Sequence, residues 1–155
     1  MIDLRRILVP TDFSPYSEVA LTYAAAFAEK FHADLYLLHV VQDLALFVPD
    51  LVGAAPPLLP TLEQLTTPVR EAFERIIAEH HLQHLAIRPE VREGTPVAEI
   101  VRLAREQEID LIVMGTHGHT GLAHVLLGSV AEKVVRQAPC PVLTVHHPEH
   151  EFVRP

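Results

Sequence analysis

The residue types with the clearest chemical use in this chain lie between Gly115 and Ser129. Gly115, Gly118 and Gly121, half of the six glycines, fall within seven residues, and Gly128-Ser129 follows where a helical pattern resumes. Glycines gathered this way are expected to supply φ > 0 or a close approach to something. Amides in such a loop point into the gap, and a following helix N-terminus adds partial positive charge. The chemistry this favours is the holding of phosphate. Two familiar phosphate loops do not fit. A Walker loop needs Gly-Lys-Ser/Thr, and the first lysine after Gly115 is Lys133; the dinucleotide pattern G-x-G-x-x-G would need glycine at Thr116 or His117. The spacing present is Gly115-x2-Gly118-x9-Gly128-Ser129.

Other reactive side chains invite plainer readings. Asp12 is placed to cap a helix or bond to Ser14, and Ser129 with Glu132 spells a capping box. His80 and His84, four apart on an expected helix, resemble a metal pair but lack an evident third ligand, so no metal site is expected. His117 and His119 lie inside the glycine loop, within reach of phosphate or Mg²⁺ or simply solvated. Cys140, between two prolines, reads as a small buried residue without an activating neighbour.

Five apolar runs and four helical patterns must position these groups. Leu4–Pro10 reads as a first strand, and Ser14-Pro15 as the cap and first residue of a helix whose apolar face is Val19, Ala20, Tyr23, Ala24, Phe27 and Phe31. Ala33–Val41 is a second strand, almost wholly apolar, as expected when helices cover both faces of a parallel sheet. Residues 42–60 form a proline-rich yet apolar connection, read as a lid or a site for a protein partner. Thr61 is placed to cap a second helix running to about Leu85. Ala86–Arg92 is a third strand, at a sheet edge because Pro89 cannot donate to a ladder. Thr95-Pro96 starts a third helix, Ile109–Met114 is a fourth strand, Ser129–Gln137 a fourth helix and Val142–His146 a fifth strand; residues 147–155 are expected to fray. The alternation predicts one doubly wound α/β domain over 1–155, with ligands bound where the strand order reverses. Periodicity alone permits the orders 3-2-1-4-5 and 2-1-3-4-5.

The glycine pattern resembles the signature G-x2-G-x9-G-(S/T) of the universal stress protein family, in its ATP-binding branch. ILVPTDFS at the first strand, LLHV at the second and APCPVLTVH at the fifth are also typical of that family, so the resemblance covers roughly Arg5 to His146. It implies a five-stranded parallel sheet of order 3-2-1-4-5 in a Rossmann-like fold. It implies an ATP pocket, with Mg²⁺, lined by Pro10, Thr11, Asp12, Val40, Met114, Gly115, Gly118, Gly128, Ser129 and Val130. It also implies a homodimer formed through the edge strand Val142–His146. Within such a pocket the glycines and Ser129 would present amides to a polyphosphate. Asp12 would suit ribose hydroxyls or the adenine amino group, since it repels phosphate, and Val40 would wall the base.

Composition narrows the partners. A chain of 155 residues with net charge −8, only two lysines and no basic run is not expected to bind nucleic acid, which depends on neutralising phosphates. No apolar run approaches the ~20 residues of a membrane span, and no secretory leader is evident. The single cysteine suits a reducing compartment, so the expected location is cytoplasmic. The expected function is a nucleotide-linked regulator in a stress response. A slow ATPase or phosphoryl-transfer protein using the same pocket is the first alternative, and a dimeric scaffold without nucleotide the second. The site offers no lysine, no arginine within the glycine loop and no evident base beyond Asp12, so efficient turnover is not expected and no catalytic residue is assigned.

Overall fold

The computed structural model describes residues 1–42, 62–116 and 127–146. Within them the order is β1 (Arg6–Pro10), α1 (Pro15–Phe31), β2 (Asp34–Val41), α2 (Leu62–Glu79), β3 (Ile87–Glu93), α3 (Pro96–Glu106), β4 (Leu111–Gly115), α4 (Ser129–Gln137) and β5 (Val142–Val145). All strands are parallel and lie in the order β3-β2-β1-β4-β5. Expected boundaries move by one or two residues at most strands. The connection read over 42–60 and the tail 147–155 lie outside the described residues from position 43 onward in the first case.

Both faces of the sheet are apolar because strand residues alternate between two cores. Ile7, Val9, Leu35, Leu37 and Val113 join Ala20, Ala24, Phe73 and Ile76 of α1 and α2. Leu8, Leu38, Ile112 and Met114 join Ile100, Leu103, Ala131 and Val134 of α3 and α4. The face α1 buries is Ser17, Ala20, Leu21, Tyr23, Ala24, Ala25 and Ala28, so Val19 and Phe27 only flank the core. Alanine dominates that stripe, which lets α1 approach the sheet closely. β3 is an edge strand, as Pro89 demands.

α2 ends at Glu79, six residues before the expected Leu85. His81 takes φ 55°, and the Leu82 amide reaches back 2.9 Å to the Ile77 carbonyl while the His81 amide reaches 3.1 Å to Ala78. This is a Schellman ending, which satisfies the last carbonyls without glycine. His80 and His84 therefore do not share a helix. Their Nε2 atoms face α1 instead, His80 toward Glu18 at 3.7 Å and His84 toward Glu29 at 2.6 Å. Among the described residues no helix is long and apolar enough to cross a membrane, and no three potential metal ligands gather.

Candidate functional site

β1 and β4 are sheet neighbours, yet α1 leaves β1 toward one face and α4 leaves β4 toward the other. Such a reversal opens a crevice at the carboxyl ends of the two strands. Here it holds about 490 Å³, within the range of small-molecule sites. Pro10, Thr11, Asp12, Val40, Met114, Gly115, Gly128, Ser129 and Val130 line it, so nine of the ten sequence-derived positions converge; Gly118 lies outside the described residues. Ser17, Leu38, His39, Gln42, Pro96, Ile100, Thr116 and Ala131 complete the wall. A larger groove of about 960 Å³ lies between α2 and β3. It has an apolar floor and a rim of mixed charge, and the first turn of α2 borders it with the carboxylate of Glu63 rather than with free donors alone.

The β1–α1 turn is held almost entirely by its own polar atoms. The Thr11 amide donates 2.8 Å to the Leu38 carbonyl, and Thr11 Oγ1 accepts from the Phe13 amide at 3.0 Å. Thr11 Oγ1 also lies 3.0 Å from Ser17 Oγ. The single hydroxyl hydrogen of Ser17 goes to the Ser14 carbonyl at 2.9 Å, so Thr11 must be the donor in the Thr11–Ser17 pair. The Thr11 hydroxyl is thus committed to building the turn, leaving one lone pair. Asp12 Oδ1 accepts from the Ser14 amide at 3.0 Å, the plain reading of that residue, while the side chain still lines the crevice. Ser14 caps α1 in extended geometry (φ −79°, ψ 158°), its Oγ accepting from the Ser17 amide at 3.3 Å.

Opposite, the glycine loop is pinched at its base. The Thr116 amide donates 2.9 Å to Val145 of β5, and the Gly128 amide donates 2.5 Å to the Thr116 carbonyl. The amide of Gly128 is therefore spent on closing the loop. Gly128, not Ser129, is the N-cap of α4, at φ −64° and ψ 156°, and among the described residues no side chain caps that helix end. Ser129 is the first helical residue, so the capping box read from Ser129 and Glu132 does not form; Glu132 pairs with Arg136 at 3.0 Å instead. Neither Gly115 nor Gly128 has positive φ. Backbone conformation therefore does not by itself require glycine at these two described positions of the motif.

Before Glu132 closes the first intrahelical bond onto Gly128, the amides of Ser129, Val130 and Ala131 have no helical acceptor. All three residues border the crevice. The crevice is thus lined by helix-terminal donors at the start of α4, by an acceptor at Asp12 and by the apolar side chains of Val40, Met114 and Ile100. A ligand carrying an anionic group and a flat donor-bearing group matches that set of partners.

Sequence reasoning passed over Phe13 and His39. The motif carried no sign that Phe13 would take φ 60° or stack on His39, ring centroids 4.8 Å apart. The signal for His39 was present: it is the one titratable side chain after Tyr36 in an apolar strand. Cys140 is half-buried rather than buried; loss of solvent pushes its thiol up from the ordinary value, and Asp110 adds to the shift. It is not poised as a nucleophile.

The model of the Universal stress protein family matches residues 3–146. A universal stress protein of Methanocaldococcus jannaschii, MJ0531, is 40% identical over 147 residues, covering 95% of this chain and 85% of that protein. The solved structure of MJ0577 superposes with a TM-score of 0.78 at 32% identity, covering 96% of this chain and 100% of that one. A universal stress protein solved in complex with cAMP superposes with a TM-score of 0.64 at 28% identity, covering 94% and 98%.

Proposed function

The chain belongs to the universal stress protein family, and from that premise we propose that its crevice binds an adenine nucleotide, ATP with Mg²⁺ first among them. The bound nucleotide would make the protein a regulator in a cytoplasmic stress response. The observation that carries this reading is the meeting of Asp12 and the α4 N-terminus across one crevice from opposite halves of the chain. The amides of Ser129, Val130 and Ala131 hold the phosphate end. Asp12 accepts from the ribose or the adenine amino group, and Val40 and Met114 pack on the base. Mg²⁺ would come in with the polyphosphate, held by its oxygens and by water, because magnesium keeps several waters and Asp12 is the only acidic residue on the described wall. The cAMP complex of a relative supports an adenine nucleotide as the ligand class.

The protein acts as a homodimer through β5 in this reading. Calorimetric titration of ATP and Mg²⁺ into wild type and Gly128→Val tests the site. The Gly128 backbone is extended, so valine fits the fold while filling the crevice mouth. Saturable binding with Kd of roughly micromolar order in the wild type, weakened at least about tenfold in the variant, is expected. No heat of binding at millimolar ATP in a folded wild type would refute the reading.

A further inference from the structure

We infer that His39 is a positioning residue for the crevice: its Nδ1–H, donated to the Thr11 carbonyl, holds the Asp12 turn in the shape a ligand meets. His39 Nδ1 lies 2.8 Å from Thr11 O. A carbonyl has no proton to give, so the ring nitrogen must carry it. The neutral ring is then restricted to the Nδ1–H tautomer, with Nε2 bare. This bond completes Thr11, whose amide and hydroxyl are already committed to Leu38, Phe13 and Ser17.

A second observation points the same way. Phe13, directly after Asp12, sits at φ 60°, a conformation that favours glycine and asparagine over an aromatic residue. Such strain persists only where the surroundings over-determine it. Here the Phe13 ring is held between His39, at 4.8 Å, and the fully buried Phe73 of α2, at 5.4 Å. His39 thus fixes the residue before Asp12 by a hydrogen bond and the residue after it by a ring contact. Asp12 is left little freedom to move, and a preorganised acceptor binds more tightly because less ordering accompanies binding.

A histidine present only for packing would be replaceable by any ring. His39→Phe keeps the ring and removes the donor; His39→Asn removes the ring and restores a donor where Nδ1 stood. The first readout needs no ligand. Long-range ¹⁵N–¹H spectra of the wild type are expected to show the neutral His39 ring as Nδ1–H, and hydrogen exchange to show protected Phe13 and Ser14 amides. In His39→Phe those two amides should exchange at least about tenfold faster, while the β1 ladder amides keep their protection; His39→Asn should recover most of the difference. The affinity arm rests on the nucleotide reading: ATP with Mg²⁺ should bind about tenfold more weakly to His39→Phe than to His39→Asn. An Nε2–H tautomer in the wild type, or unchanged protection in His39→Phe, overturns the inference. Should the wild type bind no nucleotide yet show the tautomer and the donor-dependent protection, the positioning role stands and the nucleotide reading falls.

Discussion

Two serines of this chain stand at helix starts, and a single backbone position separates their roles. Ser14 holds the extended geometry of a cap and its side chain accepts from Ser17; Ser129 is already helical, and Gly128 holds the extended geometry before it. Both read alike in the sequence. Pro15 fixed the register at Ser14, because proline favours the first helical position. Nothing comparable follows Ser129, so the cap slipped by one residue. Ser14→Ala should therefore lower stability by about 1 kcal/mol, the ordinary worth of a serine cap. Ser129→Ala should stay within about 0.5 kcal/mol of wild type, as substitutions away from such features do. Denaturant midpoints of the two variants decide it, and a cost at Ser129 equal to that at Ser14 would restore the capping box. Phe13 is the opposite case. Its positive φ follows from tertiary contacts with His39 and Phe73, which no local pattern announces.

Element ends were the least legible part of the fold, for a consistent physical reason. α1, α2 and α3 are each followed by a left-handed residue that is not glycine: His32 at φ 55°, His81 at φ 55° and Glu108 at φ 46°. The next residue, Ala33, Leu82 or Ile109, is buried, and its amide reaches back to Ala28, Ile77 or Ala104. Burial of that apolar residue stabilises the ending where glycine would otherwise supply the conformation. No glycine or proline marks the end of α2 at Glu79, which is why the expected helix ran on to about Leu85. The described glycine that does need its freedom is Gly94, at φ 144° between β3 and α3. A Cβ there would meet Glu99 Cγ at 3.2 Å and Oε1 at 3.3 Å. Glu99 has little room to yield: it is 6% exposed and bonded to Arg102 at 2.8 Å, with Arg92 at 3.7 Å. Gly94→Ala is expected to cost about 1–3 kcal/mol, the range for a strained backbone conformation. Thermal or urea unfolding would measure it. A cost below about 0.5 kcal/mol, in the range of ordinary surface substitutions, would mean that the turn relaxes into another shape.

At the scale of the molecule, alternation of strands and helices was enough for a doubly wound domain, but not for the order of its strands. Parallel neighbours are chosen by crossovers that local periodicity does not record, so β3-β2-β1-β4-β5 was legible only through the resemblance. That order leaves two sheet edges of unlike character. β3 carries Arg88, Pro89, Glu90, Arg92 and Glu93, a set of charges and a proline that discourages pairing. β5, Val-Leu-Thr-Val, carries no charge and is the edge on which the proposed homodimer would form. Its outward groups can be identified. The carbonyls of Pro141 and Val145 accept from Ile112 and Thr116 of the β4 side, so by the two-residue period of a strand Val142 and Thr144 turn their amides away from β4. Proline at 144 would remove an outward donor and leave the β4 ladder intact, which is how edge strands tolerate proline. Sedimentation equilibrium should therefore find a dimer for the wild type and a monomer for Thr144→Pro, with circular dichroism unchanged. A variant that stays dimeric would move the interface off β5. A wild type that is monomeric at tens of micromolar would remove the dimer, leaving β5 short enough, at four residues, to stand unpaired.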